Sequence, residues 1–183
     1  NGRSSPPPVG WYLPDLAAGR VELDSFDVID GLYLRGQPEL GILTGISIHG
    51  GQPDAWPAFG MRAVQVVAAL RERWQRIGRP AYAQFDNDTR FIGGHAWPDS
   101  IGPVIRECLA LGVTPVFVPA REMGFQAAIE ALNGRWQAKV WARSWEPTLD
   151  ALRARSDAYI AASARRLALR IEGAPAREPF PSD

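Results

Sequence analysis

The 183-residue sequence is poor in cysteine and histidine, and neither sign of charge is in excess. Cys108 is the only cysteine, which excludes an intrachain disulfide and fits a reducing, cytoplasmic setting. The two histidines, His49 and His95, are too few for a zinc cluster. Because 20 basic residues balance 20 acidic ones, a nucleic-acid partner would have to be bound through local patches.

Long apolar runs are also missing. No segment is long and apolar enough to span a membrane, and no signal peptide is recognisable. Hydrophobic residues still make up 46% of the chain, which is enough to bury one core. The first residues are proline-rich and lack an initiator Met, as expected of a linker inside a longer protein. We expect an extended arm over 1–19, a folded core over 20–172 and an extended tail over 173–183.

The order of the apolar patterns predicts the fold class. Partial alternation and short apolar runs indicate five strands, at 20–29, 39–48, 56–59, 81–85 and 113–118. Turn residues over 31–38 separate the first two strands. Apolar residues three and four positions apart predict helices at 61–77, 98–111, 125–142 and 147–171. Three strands followed by alternating helices and strands indicate an α/β fold, with a five-stranded mixed sheet flanked by helices.

Three acids stand where such a fold can bring them together. The buried strand over 81–85 ends directly at Asp86, Asp24 lies on the first strand, and Glu130 lies on the flank of an amphipathic helix. Carboxylates are hard ligands that suit Mg²⁺, and a pair of such ions suits phosphoryl transfer on DNA. The sequence therefore predicts Asp24, Asp86 and Glu130 as catalytic and metal-binding residues.

Other readings of these acids stay open. The alternation of the first strand is imperfect, so Asp27 or Asp30 is an alternative to Asp24. Asp86 is alternatively a turn cap, because Asp-Asn pairs often begin turns. Glu130 is alternatively a solvated helix residue, and Asp88 fits a turn better than a ligand set.

Three segments resemble, in the same order, the acid-bearing motifs of retroviral integrases and related transposases. Val-Glu-Leu-Asp24-Ser-Phe-Asp is similar to their first-acid strand, and Phe-Asp86-Asn-Asp-Thr-Arg-Phe is similar to their Asp-Asn-Gly-x-x-Phe. Gly-Phe-Gln-Ala-Ala-Ile-Glu130-Ala-Leu-Asn-Gly-Arg is similar to the segment that holds their third acid. The resemblance covers roughly 20–143.

The resemblance implies an RNase H-like fold, two Mg²⁺ or Mn²⁺ ions held by the three acids, and DNA cleavage and strand transfer by direct transesterification. It also implies that a homodimer or higher homo-oligomer pairs transposon ends with target DNA. Candidates for positioning the DNA are Asn87, Asn133, Arg135 and Lys139. A nuclease without joining activity, and an inactive core kept for DNA binding or oligomerisation, are the alternatives.

The sequence departs from the integrase pattern at several points. Asp88 replaces the motif glycine, 43 residues separate Asp86 from Glu130, and Gly134 stands where a basic residue follows the third acid. No zinc module precedes the core. Three basic residues of the last predicted helix form either a phosphate-contacting patch or an ordinary solvated helix face: Arg165, Arg166 and Arg170.

Overall fold

The computed structural model describes residues 12–93, 101–118, 126–143 and 148–182. Its strands are β1 (Leu23–Tyr33), β2 (Glu39–Ser47), β3 (Pro53–Phe59), β4 (Tyr82–Phe85) and β5 (Thr114–Phe117). Its helices are α1 (Pro14–Ala17), α2 (Ala63–Ile77), α3 (Thr89–Ile92), α4 (Pro103–Ala110), α5 (Ala127–Lys139), α6 (Leu149–Arg166) and α7 (Ala168–Glu172), with a 3-10 turn at Trp141–Arg143. The predicted α/β class and five-stranded mixed sheet are confirmed.

The sheet has the order β3-β2-β1-β4-β5. β1, β2 and β3 form an antiparallel meander, and β4 and β5 are added parallel to β1. Parallel pairing requires crossover connections, which α2 supplies between β3 and β4 and α4 supplies between β4 and β5. The carboxyl end of β4 therefore lies beside the middle of β1, because the pairing of these two strands ends at Ser25 and Gln84. We call this end of β4, with the neighbouring part of β1, the edge of the sheet.

Each face of the sheet has its own core. On the α2 and α4 face, Phe26 of β1 packs against Trp74 and Phe85, with ring centroids 6.4 and 5.6 Å apart. On the other face, Ile29 of β1 belongs to a cluster with the buried Trp136 of α5. Since successive strand residues point to opposite faces, even-numbered β1 residues near Phe26 face α2 and odd-numbered ones face α5.

One glycine of β2 is explained by this packing. A Cβ added at Gly45 would lie 2.8 Å from Cε1 of Phe26, closer than side-chain contacts allow. Any larger residue at position 45 would displace the Phe26 ring from the core, so the glycine that interrupts the apolar run is needed for packing.

The structure differs from the predicted elements in a few places. β1 continues to Tyr33 where turn residues were predicted from 31, because the ladder accommodates Gly31, with φ of 74°, at a register shift. The short helices α1 and α3 were not predicted, and the last predicted helix is divided at Leu167. The start of the helix predicted at 98–111, and His95, lie outside the described residues. Within the described ranges, no helix is long and apolar enough to cross a membrane.

Candidate metal centre

Asp24 lies at the centre of a buried ion-pair network rather than at an open site. Its carboxylate is 0% exposed. It accepts hydrogen bonds from Arg73 at 3.0 and 3.1 Å, from Arg177 at 2.6 and 3.1 Å, from Trp74 Nε1 at 3.1 Å and from Ser47 Oγ at 3.0 Å. Burial alone would raise the pKa of Asp24, but the guanidinium groups of Arg73 and Arg177 outweigh it and hold that pKa well below its usual range.

The predicted assignment of Asp24 to the metal site stays a prediction, and this buried ion-pair geometry weighs against it. Asp24 and Asp27 are three residues apart on β1, so their side chains point to opposite faces of the sheet. Asp24 faces α2, and every polar partner of its carboxylate would have to be displaced before a metal could bind. Asp27, one of the two alternatives that the sequence left open, faces α5 instead.

Asp27 is half-buried and is held by a backbone and a side-chain donor. The Val28 N–H donates to Oδ1 at 2.8 Å, and Asn133 Nδ2 donates to Oδ2 at 2.7 Å. Burial raises the pKa of Asp27, the Val28 N–H opposes that rise, and the charges of Asp86 and Glu130 add to it. The charges of Asp86 and Glu130 therefore both reach the Asp27 carboxylate.

Asn133 owes its orientation to β2. Thr44 Oγ1 donates to Asn133 Oδ1 at 2.6 Å, which turns the amide NH₂ toward Asp27. Thr44 is the residue paired with Asp27 in the β1–β2 ladder, so the two residues that hold the Asn133 amide lie side by side on neighbouring strands. The predicted role of Asn133 in positioning DNA stays a prediction, and the structure adds a direct contact with Asp27.

Asp86 lies next to Asp27 through the pairing of β1 with β4. Ser25 pairs with Gln84, and the same register carried two residues further sets Asp27 beside Asp86. The Asp88 backbone N–H donates to Asp86 Oδ1 at 3.0 Å. The pKa of Asp86 is raised, mainly by burial, and the charges of Asp88 and Asp30 add to the rise. The hydrogen bond from the Asp88 N–H and the charge of Arg90 oppose it.

Arg90 forms ion pairs with the two other acids at this edge. Its guanidinium binds both oxygens of Asp30, at 2.7 and 2.6 Å, and both oxygens of Asp88, at 2.8 and 2.6 Å. Asp88 also caps α3 by accepting from the Arg90 backbone N–H at 2.8 Å. Asp30 and Asp88 thus brace the segment after Asp86, and neither remains available as a metal ligand without breaking these pairs.

Glu130 is exposed in the first turn of α5, whose opposite side is anchored by the buried Ile129, Leu132 and Trp136. At about 100° per residue, Asn133 lies about 60° around the helix from Glu130, on the flank that meets Asp27. Within the described parts of the chain, no Lys or Arg is ion-paired with Asp27, Asp86 or Glu130. Three carboxylates without a cationic partner, beside two that share the single positive charge of Arg90, leave this edge with an excess of negative charge.

Arg135 and Lys139, predicted to position DNA with Asn133, lie on another flank of α5. They are about 140° and 180° around the helix from Glu130. Asn87 remains at the edge: it is exposed, and its Nδ2 donates to the Val118 carbonyl at 2.9 Å, which ties the end of β4 to that of β5. Asn87 and Asn133 thus lie on the same side of the molecule as the acids, whereas Arg135 and Lys139 lie on a different flank of α5.

The donor set fits a hard divalent cation. Asp27, Asp86 and Glu130 offer carboxylate oxygens, the ligands that Mg²⁺ and Mn²⁺ prefer. Among the residues described, no three His, Cys, Asp or Glu side chains already form a group that could hold a metal ion. Burial is the main cause of the raised pKa values of Asp27 and Asp86, and the charges of Asp86 and Glu130 add to the rise at Asp27, which a bound cation would oppose.

Sequence reasoning missed Thr44 and Arg90. A lone threonine within the apolar run Leu40–Ile46 is a signal for Thr44, because a buried hydroxyl requires a partner. Arg90 follows Asp88 by two residues, but its second partner, Asp30, is 60 residues distant in sequence, and only the sheet topology brings them together.

We expect Arg90→Gln to raise the pKa of Asp86 further, because the positive charge of Arg90 lowers that pKa. The side-chain carboxyl ¹³C shift of Asp86, followed against pH by NMR, measures this directly. Arg106→Gln, at an exposed position on α4, is the matched control and should leave the pKa of Asp86 unchanged. An unchanged Asp86 titration in Arg90→Gln would contradict the electrostatic account of this edge.

Several solved structures are similar to this fold. A chain of the simian T-cell lymphotropic virus intasome, in complex with PP2A regulatory subunit B56 gamma, has a TM-score of 0.62 at 11% identity and covers 88% of this chain. The BIV integrase catalytic core domain has a TM-score of 0.57 at 16% identity and covers 76% of this chain and 81% of its own. The dimeric HTLV-2 integrase catalytic core domain, in complex with magnesium, has a TM-score of 0.54 at 12% identity and covers 73% of this chain and 81% of its own.

The match with the intasome chain covers 57% of that chain's length. No protein-family model matches the sequence, and no curated protein matches it. At these identities the similarity shows architecture only. The chain has the fold of a retroviral integrase catalytic core, the RNase H-like architecture that its acid-bearing motifs predicted.

Proposed function

We propose that this chain is the catalytic core of a transposase or integrase-like recombinase, which cuts DNA ends and joins them to target DNA. The observation that carries the proposal is the β1–β4 register, which directs Asp27 and Asp86 to one edge of an integrase-core sheet, with Glu130 close enough for its charge to raise the pKa of Asp27. A fold alone does not fix a function. Three unpaired carboxylates from β1, the end of β4 and α5 add the chemistry that phosphoryl transfer requires.

In this proposal Asp27, Asp86 and Glu130 hold two Mg²⁺ or Mn²⁺ ions. When bound, such ions activate the attacking oxygen and neutralise charge at the phosphate that is transferred. Asn133 keeps the Asp27 carboxylate in one orientation through its contact at 2.7 Å. Arg90 fixes the segment after Asp86 without touching the ligand acids, so the site combines rigid support with an exposed side for DNA.

The remaining finer points of the proposal concern partners. We propose transposon-end and target DNA as substrates and a homodimer or higher homo-oligomer as the assembly that pairs them. The HTLV-2 core was solved in dimeric and trimeric forms, and the simian virus chain comes from an intasome. These neighbours support the proposal by analogy, and analytical ultracentrifugation of this chain with and without DNA tests the assembly.

A Mn²⁺-dependent assay on labelled terminal DNA tests the reaction itself. We expect wild-type protein to give both cleaved ends and longer joined products on an added target plasmid. Cleaved ends without joined products would favour a plain RNase H-like nuclease. DNA binding without either product would favour an inactive core retained for binding or oligomerisation.

Gly134 offers a separate test of DNA approach. It lies four residues after Glu130 on α5, is exposed, and a Cβ there would meet no atom within 4 Å. Ala in its place should stabilise the helix by up to about 1 kcal/mol. If DNA passes close to this turn, Gly134→Ala should lose cleavage activity while it gains stability.

Ala138→Gly on the same helix is the reverse control, since Ala138 is exposed as well. It should lose about 1 kcal/mol of stability and keep its cleavage rate. Thermal melts and cleavage rates of both variants are the measurements. Full activity of a stabilised Gly134→Ala protein would exclude close DNA approach at this turn.

A further inference from the structure

A groove separate from the acids lies on the other flank of α5. Its walls are α5 with the 3-10 turn on one side and α6 with α7 on the other, its floor includes Ile46 and Leu132, and its volume is about 630 Å³. We call it the α5–α6 groove. Among the described residues that line it, none is a carboxylate and five are cationic: Arg135, Lys139, Arg143, Arg166 and Arg170.

These cations are not neutralised within the described chain. No ion pair there involves any of the five. Arg135 and Lys139 are four residues apart on one helix, a spacing at which like charges repel by about 0.2–0.5 kcal/mol. Arg170 donates from Nε to the His49 carbonyl at 2.6 Å and from Nη2 to the Ile48 carbonyl at 2.7 Å. These bonds fix its position and leave its charge in place.

We propose that the α5–α6 groove binds the backbone phosphates of a DNA segment other than the one at Asp27, Asp86 and Glu130. Phosphate groups supply the negative charge that the groove lacks. Arg135 and Lys139 are about 6 Å apart along the axis of α5, and Arg143 follows in the 3-10 turn beyond the end of that helix. Cations spread along a groove in this way suit the successive phosphates of a polynucleotide strand, which rises about 3.4 Å per nucleotide, better than a single small anion.

The position of the groove defines what it does. Arg135 and Lys139 lie about 140° and 180° around α5 from Glu130, so α5 itself separates the groove from the acids. A strand held in the groove is therefore anchored away from the reacting phosphate. This inference rests on the proposed function for the identity of the polyanion as DNA, but it does not require the acids to be active.

The test is equilibrium binding of a labelled DNA duplex of about 30 base pairs, by fluorescence anisotropy in EDTA between about 50 and 200 mM salt. The groove variant is Arg143→Gln with Arg166→Gln. We expect binding about tenfold weaker or more, and a slope of log K against log salt reduced in magnitude by about 2.

The matched control is Arg106→Gln with Arg165→Gln, which removes the same charge from exposed positions outside the groove. Its binding and salt slope should stay close to wild type. Equal losses in the two double variants would mean that only net charge matters and would overturn the inference. So would displacement of the DNA by millimolar inorganic phosphate or free nucleotide, since the groove would then be a small-anion site.

Two further readouts keep the outcome clear. Thermal melts of both double variants in the absence of DNA should match wild type, so weaker binding is not a folding defect. Mn²⁺-dependent cleavage is measured separately with Asp27→Asn, which should keep DNA binding in EDTA. If wild type does not cleave DNA but the groove variant still reduces the salt slope, the proposed function is contradicted and the groove inference stands. If wild type cleaves DNA but the groove variant binds DNA as wild type does, the groove inference is contradicted and the proposed function stands.

Discussion

Asp24→Asn is expected to lower the free energy of unfolding by about 3–5 kcal/mol, whereas Asp27→Asn is expected to change it by no more than about 1 kcal/mol. Removing the charge of Asp24 takes the shared counter-ion from the nearly buried Arg177 and from the fully buried Arg73, which is left with Asp54 as its carboxylate partner. Breaking one side of a buried ion pair is costly for that reason. Asp27 is bound by neutral donors only, so loss of its charge strands no cation.

The pH dependence of the two acids has opposite signs. The folded-state pKa of Asp24 is depressed below 3.8, so its contribution to stability is present above about pH 4 and is lost as the pH falls toward the folded value. The folded-state pKa of Asp27 is raised, so the stability linked to its protonated form is lost as the pH rises through that value. Relative to wild type, Asp27→Asn should therefore gain stability between about pH 4 and pH 7.

Urea denaturation of both variants across this pH range, in metal-free buffer, measures the difference. Arg177→Gln is a useful companion, because Arg73 still pairs with Asp24 in that variant and the loss should be smaller. If Asp24→Asn proved as stable as wild type, while Asp27→Asn unfolded, the roles assigned to the two faces of β1 would be reversed.

Glu130→Gln, Asp27→Asn and Asp86→Asn are each expected to reduce Mn²⁺-dependent DNA cleavage by about 10³-fold. Charge stabilisation by a bound ion contributes several kcal/mol to phosphoryl transfer, and each 1.36 kcal/mol corresponds to a factor of ten in rate. Single-turnover cleavage of labelled terminal DNA is the measurement. Metal binding should also be visible without catalysis: Mn²⁺ at about 100 times its Kd should stabilise wild type by about 2.7 kcal/mol.

The matched control for these variants is Asp30→Asn. Asp30 lies on the same strand as Asp27 but is paired with Arg90, so its loss should leave most of the cleavage activity. Thermal shifts by Mn²⁺ should likewise persist in Asp30→Asn and vanish in Asp27→Asn. Cleavage by Asp27→Asn at the wild-type rate would exclude Asp27 from the site, whatever the behaviour of Glu130→Gln.

Much of the fold was within reach of the sequence because its signals are local. The apolar stripe of α2, the strand ending at Phe85 and the glycine breaks between elements all depend on neighbours within a few residues. The order of elements then restricts the sheet topology. The break at Leu167 and the continuation of β1 to Tyr33 depend on tertiary contacts that periodicity does not report.

The choice between Asp24 and Asp27 could not be made from sequence for a specific physical reason. β1 is buried on both faces, so apolar residues occupy both phases of the strand and the alternation carries no information about side. The deciding partners are Arg73, 49 residues away, and Arg177, 153 residues away. The resemblance of Val-Glu-Leu-Asp24 to an integrase strand favoured a residue of β1 whose side chain lies on the face opposite to that of Asp27.

A crystal soaked with Mn²⁺ and measured for anomalous scattering tests most directly whether Asp27, and not Asp24, completes the acid cluster. We predict a peak at bonding distance from the carboxylates of Asp27 and Asp86, within reach of Glu130, with the Arg73 and Arg177 pairs to Asp24 intact. A peak beside Asp24 with those pairs broken, or full occupancy elsewhere and none at this edge, would contradict the account.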